Sequence, residues 1–328
     1  MKFTVNGHET YAYTGGKAFN PAQPTVIFIH GVVNDHSVWI LQSRYLAHHG
    51  WNVLALDLPG HCRSAGDAPS TVEEAADFIG GVLDAVGVQR AALVGHSWGS
   101  LIALEAAARL KDRVSHLVLV GAASPMRVSP LLLEYSQTAQ RKALDMVNVF
   151  SRATLAAPPS ALGPGTWVYG ASMALGRRVL ASNPKVNVFF TGFKACDSYQ
   201  RGEEAMAQVR CPTLFVLGDA DQMTPPKAAQ SLVSRAAHGR VVRLPAVTDL
   251  RLGLGGPVGA LAARFAFRLR GARRLRRPLA RSRAVPTRPR SPRAARHPLR
   301  AQPALRRRPE FEQKLNFVFT IHHECIVS

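Results

Sequence analysis

Gly95-His96-Ser97-Trp98-Gly99 has the residue types and spacing of an exposed nucleophile. It directly follows the apolar run 91–94 and directly precedes a helical pattern. A serine on a sharp strand-to-helix turn needs small residues at both ends of G-x-S-x-G, because side chains there would clash. The N-terminus of the following helix favours negative charge beside it. The bland alternative is an ordinary serine in a helix cap. A second group is His30-Gly31-Val32-Val33, after the run 26–29. A backbone N–H at such a strand end can hold an oxyanion, and Val32 and Trp98 are the two expected donors. A turn glycine beside a packed His30 is the competing view. The third group, Gly218 to Pro225, follows the run 213–217. Its Asp221 is the expected carboxylate that orients a histidine, while Asp219 reads as a turn or cap residue.

These groups need a scaffold, and the apolar runs supply one. Residues 1–15 read as a hairpin around Asn6-Gly7. The runs 26–29, 52–56, 91–94, 117–120, 213–217 and 240–244 read as strands buried on both faces, as in a parallel sheet. Helical patterns over 72–86 and 99–111 alternate with them. The fold class is therefore α/β, a mostly parallel layered sheet. Residues 124–205 break the rhythm, helix-rich and punctuated by Pro158-Pro159 and Gly163-Pro164-Gly165, and have the size of an inserted lid. The expected organisation is core over 1–123 and 206–248, lid over 124–205, and a basic tail over 249–328.

The formal charge of +20 belongs mostly to that tail, which holds 19 Lys/Arg against 4 Asp/Glu. An apolar fraction of 47% excludes wholesale disorder. Cys62, Cys196, Cys211 and Cys325 lack CxxC or CxxH spacing, so neither a zinc site nor a disulfide framework is expected. No apolar h-region or membrane-length run is present, so the expectation is a soluble cytoplasmic protein.

With His30-Gly31, Asp57-Leu58-Pro59-Gly60-His61-Cys62-Arg63-Ser64, the elbow around Ser97 and Gly218 to Pro225 in this order, the chain resembles the α/β-hydrolase fold superfamily. The resemblance covers residues 1–247 and favours the lid-bearing esterase, peptidase-like and C–C hydrolase group. It implies two-step acyl transfer on a small-molecule ester, thioester, lactone or amide, with no cofactor or metal. Relatives that attack with Asp at the elbow, the haloalkane dehalogenases and epoxide hydrolases, differ from this chain, which has Ser97. Cys62 stands where many relatives have Gly. Ser124 rather than an acid follows the run 117–120, which strengthens Asp221. Trp167, Tyr169, Met173, Phe189, Phe190 and Phe193 either line an acyl pocket or form the core of the lid.

The resemblance also exposes a gap. A serine hydroxyl is a poor nucleophile without a base, and the family's base follows the last strand, usually in a Gly-His pair. Here the last strand is followed by Pro245-Ala246-Val247-Thr248-Asp249. His238 precedes that strand, ~20–25 Å away at ~3.3 Å per residue. His36, His48, His49 and His61 read as surface or supporting residues, His96 points away from its neighbour, and His297, His322 and His323 lie in the tail. Gly-His encoded GGT-CAC, read one base late, gives Val-Thr, which is Val247-Thr248. The Arg/Pro/Ala/Leu/Gly composition of 249–308 also suits a GC-rich gene read out of frame. The hypothesis is a frameshift near codon 247. The rival readings are a catalytically dead relative and an Arg-rich arm, with Arg273 to Arg277 and Arg306 to Arg308 binding nucleic acid non-specifically.

Overall fold

The computed structural model describes residues 1–20, 22–151 and 168–244. The expectations on Pro158-Pro159, Gly163 to Gly165, Trp167, Val247-Thr248 and the tail 249–328 lie outside the described residues.

Asn6 and Gly7 adopt φ of 49° and 82°. Two consecutive left-handed residues match the twist of a tight hairpin, here between β1 (Lys2–Val5) and β2 (His8–Tyr13). Then come β3 (Thr25–Ile29), α1 (Ile40–His48), β4 (Asn52–Leu56), α2 (Val72–Ala85), β5 (Ala91–His96), α3 (Trp98–Leu110) and β6 (Val114–Val120). Among the described residues, five helices separate β6 from β7: α4 (Pro130–Thr138), α5 (Gln140–Phe150), α6 (Val168–Ser182), α7 (Val188–Ser198) and α8 (Gly202–Gln208). β7 (Thr213–Gly218), α9 (Gln230–Arg235) and β8 (Gly239–Leu244) follow. The eight strands form one sheet in the order β1-β2-β4-β3-β5-β6-β7-β8. β1–β2 and β2–β4 pair antiparallel, and every later pair is parallel.

The continuous apolar runs feed two cores by strand alternation. Ile27, Ile29, Leu54, Leu93, Leu117, Leu119, Phe215 and Leu217 pack with α2 and α3. Val26, Phe28, Val53, Val94, Val118, Val120, Leu214 and Val216 fill the other face with Trp39 and Leu46. α2 is held at its start by Thr71, whose side chain accepts from the Glu74 amide.

β8 departs from the expected burial on both faces. It pairs only with β7 among the described residues, and Arg240, Val241 and Arg243 are exposed. An edge strand carries solvent-facing charge, which discourages further pairing. Among the described residues, no helix is long and apolar enough to cross a membrane.

Candidate active site

β5 ends at His96 and α3 begins at Trp98, so the whole turn is Ser97. Ser97 sits at φ 53° and ψ −121°, a conformation that costs an ordinary residue ~1–3 kcal/mol. Its surroundings enforce it. The Ser97 amide donates to Val120 O at 2.9 Å, and its carbonyl accepts from Ser100 N at 2.8 Å. A Cβ on Gly95 would overlap the Gly99 carbonyl, and one on Gly99 would overlap the carbonyls of Ile29 and His30. Both flanking glycines are therefore required by backbone contact. Ser97 is half-buried, and its Oγ has no hydrogen-bond partner among the described residues.

The loop after β3 closes on this elbow. A Cβ on Gly31 would lie 3.2 Å from Ser97 Cβ and 3.1 Å from His96 Nδ1. The Val32 amide, next in the chain, makes no backbone hydrogen bond among the described residues. The Trp98 amide opens α3, where first-turn N–H groups have no intrahelical acceptor. Insertion helix α7 presses on the same place, since a Cβ on Gly192 would meet Val32 at 3.1 Å and Trp98 at 3.6 Å.

His30 is fully buried and satisfied. Its Nδ1–H donates to Gly31 O at 2.8 Å, and its Nε2 accepts from the Leu58 amide at 3.1 Å. Burial pushes its pKa down. It is thus a neutral packed residue that braces the loop carrying Val32.

Asp221 lies just past β7, two strands from β5. Its Oδ1 accepts from the Met223 and Thr224 amides, and its Oδ2 from Thr224 Oγ1, each at 2.9 Å. These bonds fix the carboxylate. Val120 pairs with His96 on one side and with Val216 on the other, so Ser97 and Asp221 leave the same end of the sheet. Two strand spacings separate β5 from β7, ~10 Å. Asp219 is elsewhere engaged, paired with Arg243.

The expected distribution of histidines holds in part. His238 O accepts from Thr213 N, which puts it at the opposite end of the strands from Leu244. His36 is bonded to Asp57 through Nδ1 at 2.8 Å. The surface option fails for His61, which is fully buried. Its Nδ1–H donates to Pro59 O at 2.9 Å, and burial, helped by His30, pushes its pKa down to about 3.

Cys62 adopts φ 45°, the left-handed region that explains why glycine suits this turn. Its thiol donates to Asp35 Oδ2 at 3.3 Å. Burial and the nearby Asp35 and Asp57 push that thiol up to about 12. Cys62, Cys196 and Cys211 are all unpaired thiols. Among the insertion's aromatics, Phe189 and Phe193 are buried with ring centroids 5.2 Å apart, and Tyr169 donates to Asp145. These three help to hold the insertion together.

Sequence reasoning missed a buried network at the base of the insertion. Glu105, fully buried on α3, accepts from Arg109, from Arg201 at 3.0 Å and from Tyr199 at 2.7 Å. A lone Glu in the Ala/Leu-rich run of α3 was the available signal. The cluster of Asp35, His36 and Asp57 also went unread. Its ligand atoms lie within 4.8 Å of one another, and Asp57 Oδ1 takes both the His36 amide and ring.

Known proteins bear on this arrangement. The chain is 38% identical over 111 residues to the dihydrolipoyllysine-residue acetyltransferase component of the acetoin cleaving system from Cupriavidus necator, covering 34% of this chain and 28% of that one. It is 36% identical over 105 residues to lipase LipV from Mycobacterium tuberculosis, covering 31% of this chain and 39% of that one. The chain thus spans well under half the length of these curated relatives. The structure of the enol-lactonase from Burkholderia xenovorans LB400 superposes with a TM-score of 0.67 at 21% identity, over 81% of this chain and 99% of that one. The family model described as alpha/beta hydrolase fold matches residues 24–249, which ends where the basic tail begins. With its parallel sheet, serine elbow and helical insertion, the chain belongs to the α/β-hydrolase fold family.

Proposed function

We propose that this chain descends from a cytoplasmic serine hydrolase acting on an ester-like small molecule, and that its nucleophile is Ser97. The observation that carries the reading is the elbow itself. A serine held at φ 53° between two glycines that tolerate no side chain is a costly arrangement, and it is the geometry that lifts a hydroxyl clear of its backbone. In the reaction, Ser97 Oγ attacks the substrate carbonyl carbon while a base takes its proton. The amides of Val32 and Trp98 hold the oxyanion, and the proton passes to the leaving group as its bond breaks. Water then cleaves the acyl-enzyme by the same route. Asp221 orients the base, and helices α4 to α8 serve as the lid.

The base is the weak point. Pro245 to Asp249 contains no histidine, and Ser97 Oγ meets no described partner. The second reading, a catalytically dead relative, rests on those two observations. The relatives' names include an acetyltransferase component, a lipase, epoxide hydrolases and a non-heme haloperoxidase, so they single out no reaction, and the acyl reading rests on the serine at the elbow.

An active-site-directed fluorophosphonate separates the two. Labelling of the natural chain, absent from Ser97→Ala, is expected if the serine is activated at all. Equal labelling of both chains means that Ser97 is not the nucleophile.

A further inference from the structure

The loop 57–67 is fixed to the sheet on one side. Ser64 Oγ accepts from the Tyr11 amide at 2.9 Å and donates to Asp57 O at 2.7 Å, and the Ala65 amide donates to Glu9 O at 2.8 Å. On its other side the loop meets the turn that follows α6. There the Cys62 amide donates to Ser182 Oγ at 2.9 Å, and Asn183 Nδ2 donates to Gly60 O at 3.3 Å. Beside these contacts the two segments part and enclose a cavity of about 360 Å³. Small-molecule sites span ~300–1,000 Å³, so this one suits a small ligand. Of the described residues lining it, none is Val32, Ser97, Trp98 or Asp221.

The cavity carries charge on both walls. Lys185 lines it from the turn and Asp67 from the loop. Both are exposed, and among the described residues neither forms an ion pair or a side-chain hydrogen bond, with the other or with a third group. His8 closes a further side, its ring lying against Gly66, where a Cβ would come 3.2 Å from His8 Cγ. Val186 adds an apolar wall. The Ser64 and Ser182 hydroxyls already donate to Asp57 O and Val179 O. A ligand therefore meets one ammonium and one carboxylate. An anion drawn to Lys185 would face Asp67, and a cation drawn to Asp67 would face Lys185, so each pays for a like charge. A ligand that carries both charges satisfies both walls.

We propose that this cavity is a binding site for a small zwitterion of the α-amino acid class, with its carboxylate on Lys185, its ammonium on Asp67 and a short apolar side chain against Val186. The bonds that hold the loop and the turn set the cavity walls in advance, so binding orders two side chains and little backbone. The site is independent of whether Ser97 is activated, so its test needs no turnover.

Calorimetric titration of the full chain with L-alanine and L-valine reads the site, with acetate and methylammonium as probes that carry one charge each. Saturable binding of both amino acids is expected at a Kd of about 1 mM, with each single-charge probe about ten-fold weaker or more. Lys185→Met and Asp67→Asn should each weaken L-alanine about ten-fold, while Lys185→Arg, which keeps the charge, should stay close to the natural chain. Both side chains are exposed, so the variants should fold normally, which circular dichroism checks. No saturable binding of either amino acid overturns the site. Acetate or methylammonium binding as tightly as L-alanine overturns it too, since one charge would then suffice. L-alanine binding at full strength to both Lys185→Met and Asp67→Asn puts the amino acid elsewhere on the chain and overturns the assignment equally.

Discussion

His61 and Trp98 lie with ring centroids 6.0 Å apart, both fully buried, and each keeps a ring nitrogen with no hydrogen-bond partner among the described residues. His61 already donates Nδ1–H to Pro59 O, so the unpartnered atom is the Nε2 lone pair. Protonating it would place a positive charge in a dry setting next to His30, 5.0 Å away between centroids. This is why its pKa falls to about 3. The same setting makes it a poor stand-in for the absent base.

The first prediction concerns pH. The folded pKa of His61 lies below its unfolded value, so below pH ~6.5 the unfolded chain binds a proton that the folded chain refuses. Stability is then full above pH ~6.5 and falls as pH drops toward 3, by ~1.4 kcal/mol per unit from this group. His30 acts with the same sign. Urea unfolding between pH 6.5 and 4.5 should show a shallower slope for His61→Phe than for the natural chain. An identical slope in both would mean that His61 accepts protons freely in the fold.

Cys62 offers a backbone test. At φ 45° a β-branched side chain is strongly disfavoured, whereas glycine is at ease. Cys62→Val should lose about 1–2 kcal/mol or more. Cys62→Gly should stay within about 1 kcal/mol of the natural chain, because relieved strain is offset by added unfolded-state entropy and the lost Asp35 contact. Denaturant midpoints would check the order, and Val matching Gly would contradict it.

The elbow makes a sharper demand. Gly95→Ala puts a methyl group into the Gly99 carbonyl, a backbone atom that cannot swing aside. A loss of about 3 kcal/mol or more is expected. Gly7→Ala is the comparison, since a Cβ there meets nothing within 4 Å and only its φ of 82° resists. Equal midpoints for the two variants would show that the turn can relax.

Much of this was legible from local pattern. The runs 26–29, 52–56, 91–94, 117–120 and 213–217 became central strands because continuous apolar residues suit a sheet with two covered faces. Ser97 was legible because glycine spacing reports a backbone demand directly. What escaped depends on contacts that no period encodes. Arg178 meets Asp35 across 143 positions, and Arg201 meets Glu105 across 96. For His61 the sequence left surface and supporting roles both open, because nothing in a Gly/Pro turn tells that His30 and Trp98 pack on it. β8 read as buried from Val241-Val242, but its edge position exposes Val241 and the flanking arginines.

The last prediction joins the tail to the chemistry. If residues from 247 on are out-of-frame translation, the chain as it stands should hydrolyse short p-nitrophenyl esters feebly, since losing a triad histidine can cost on the order of 10⁶ in kcat. Restoring the frame at codon 247 exchanges Val247-Thr248 for Gly-His in the sequence that follows the last strand. Ester hydrolysis should then rise by several orders of magnitude and be abolished by Ser97→Ala. Asp221→Asn should lower it by about 10⁴, because the imidazole loses the carboxylate that sets its tautomer. The restored chain should also lose any salt-sensitive affinity for DNA carried by the arginines, whose log–log slope is roughly −0.9 per phosphate contacted. A restored chain with its histidine in place and no Ser97-dependent turnover would reject the hydrolase reading and leave the dead relative standing. Full activity in the natural chain would reject the missing base instead, and some other histidine would then have to reach Ser97.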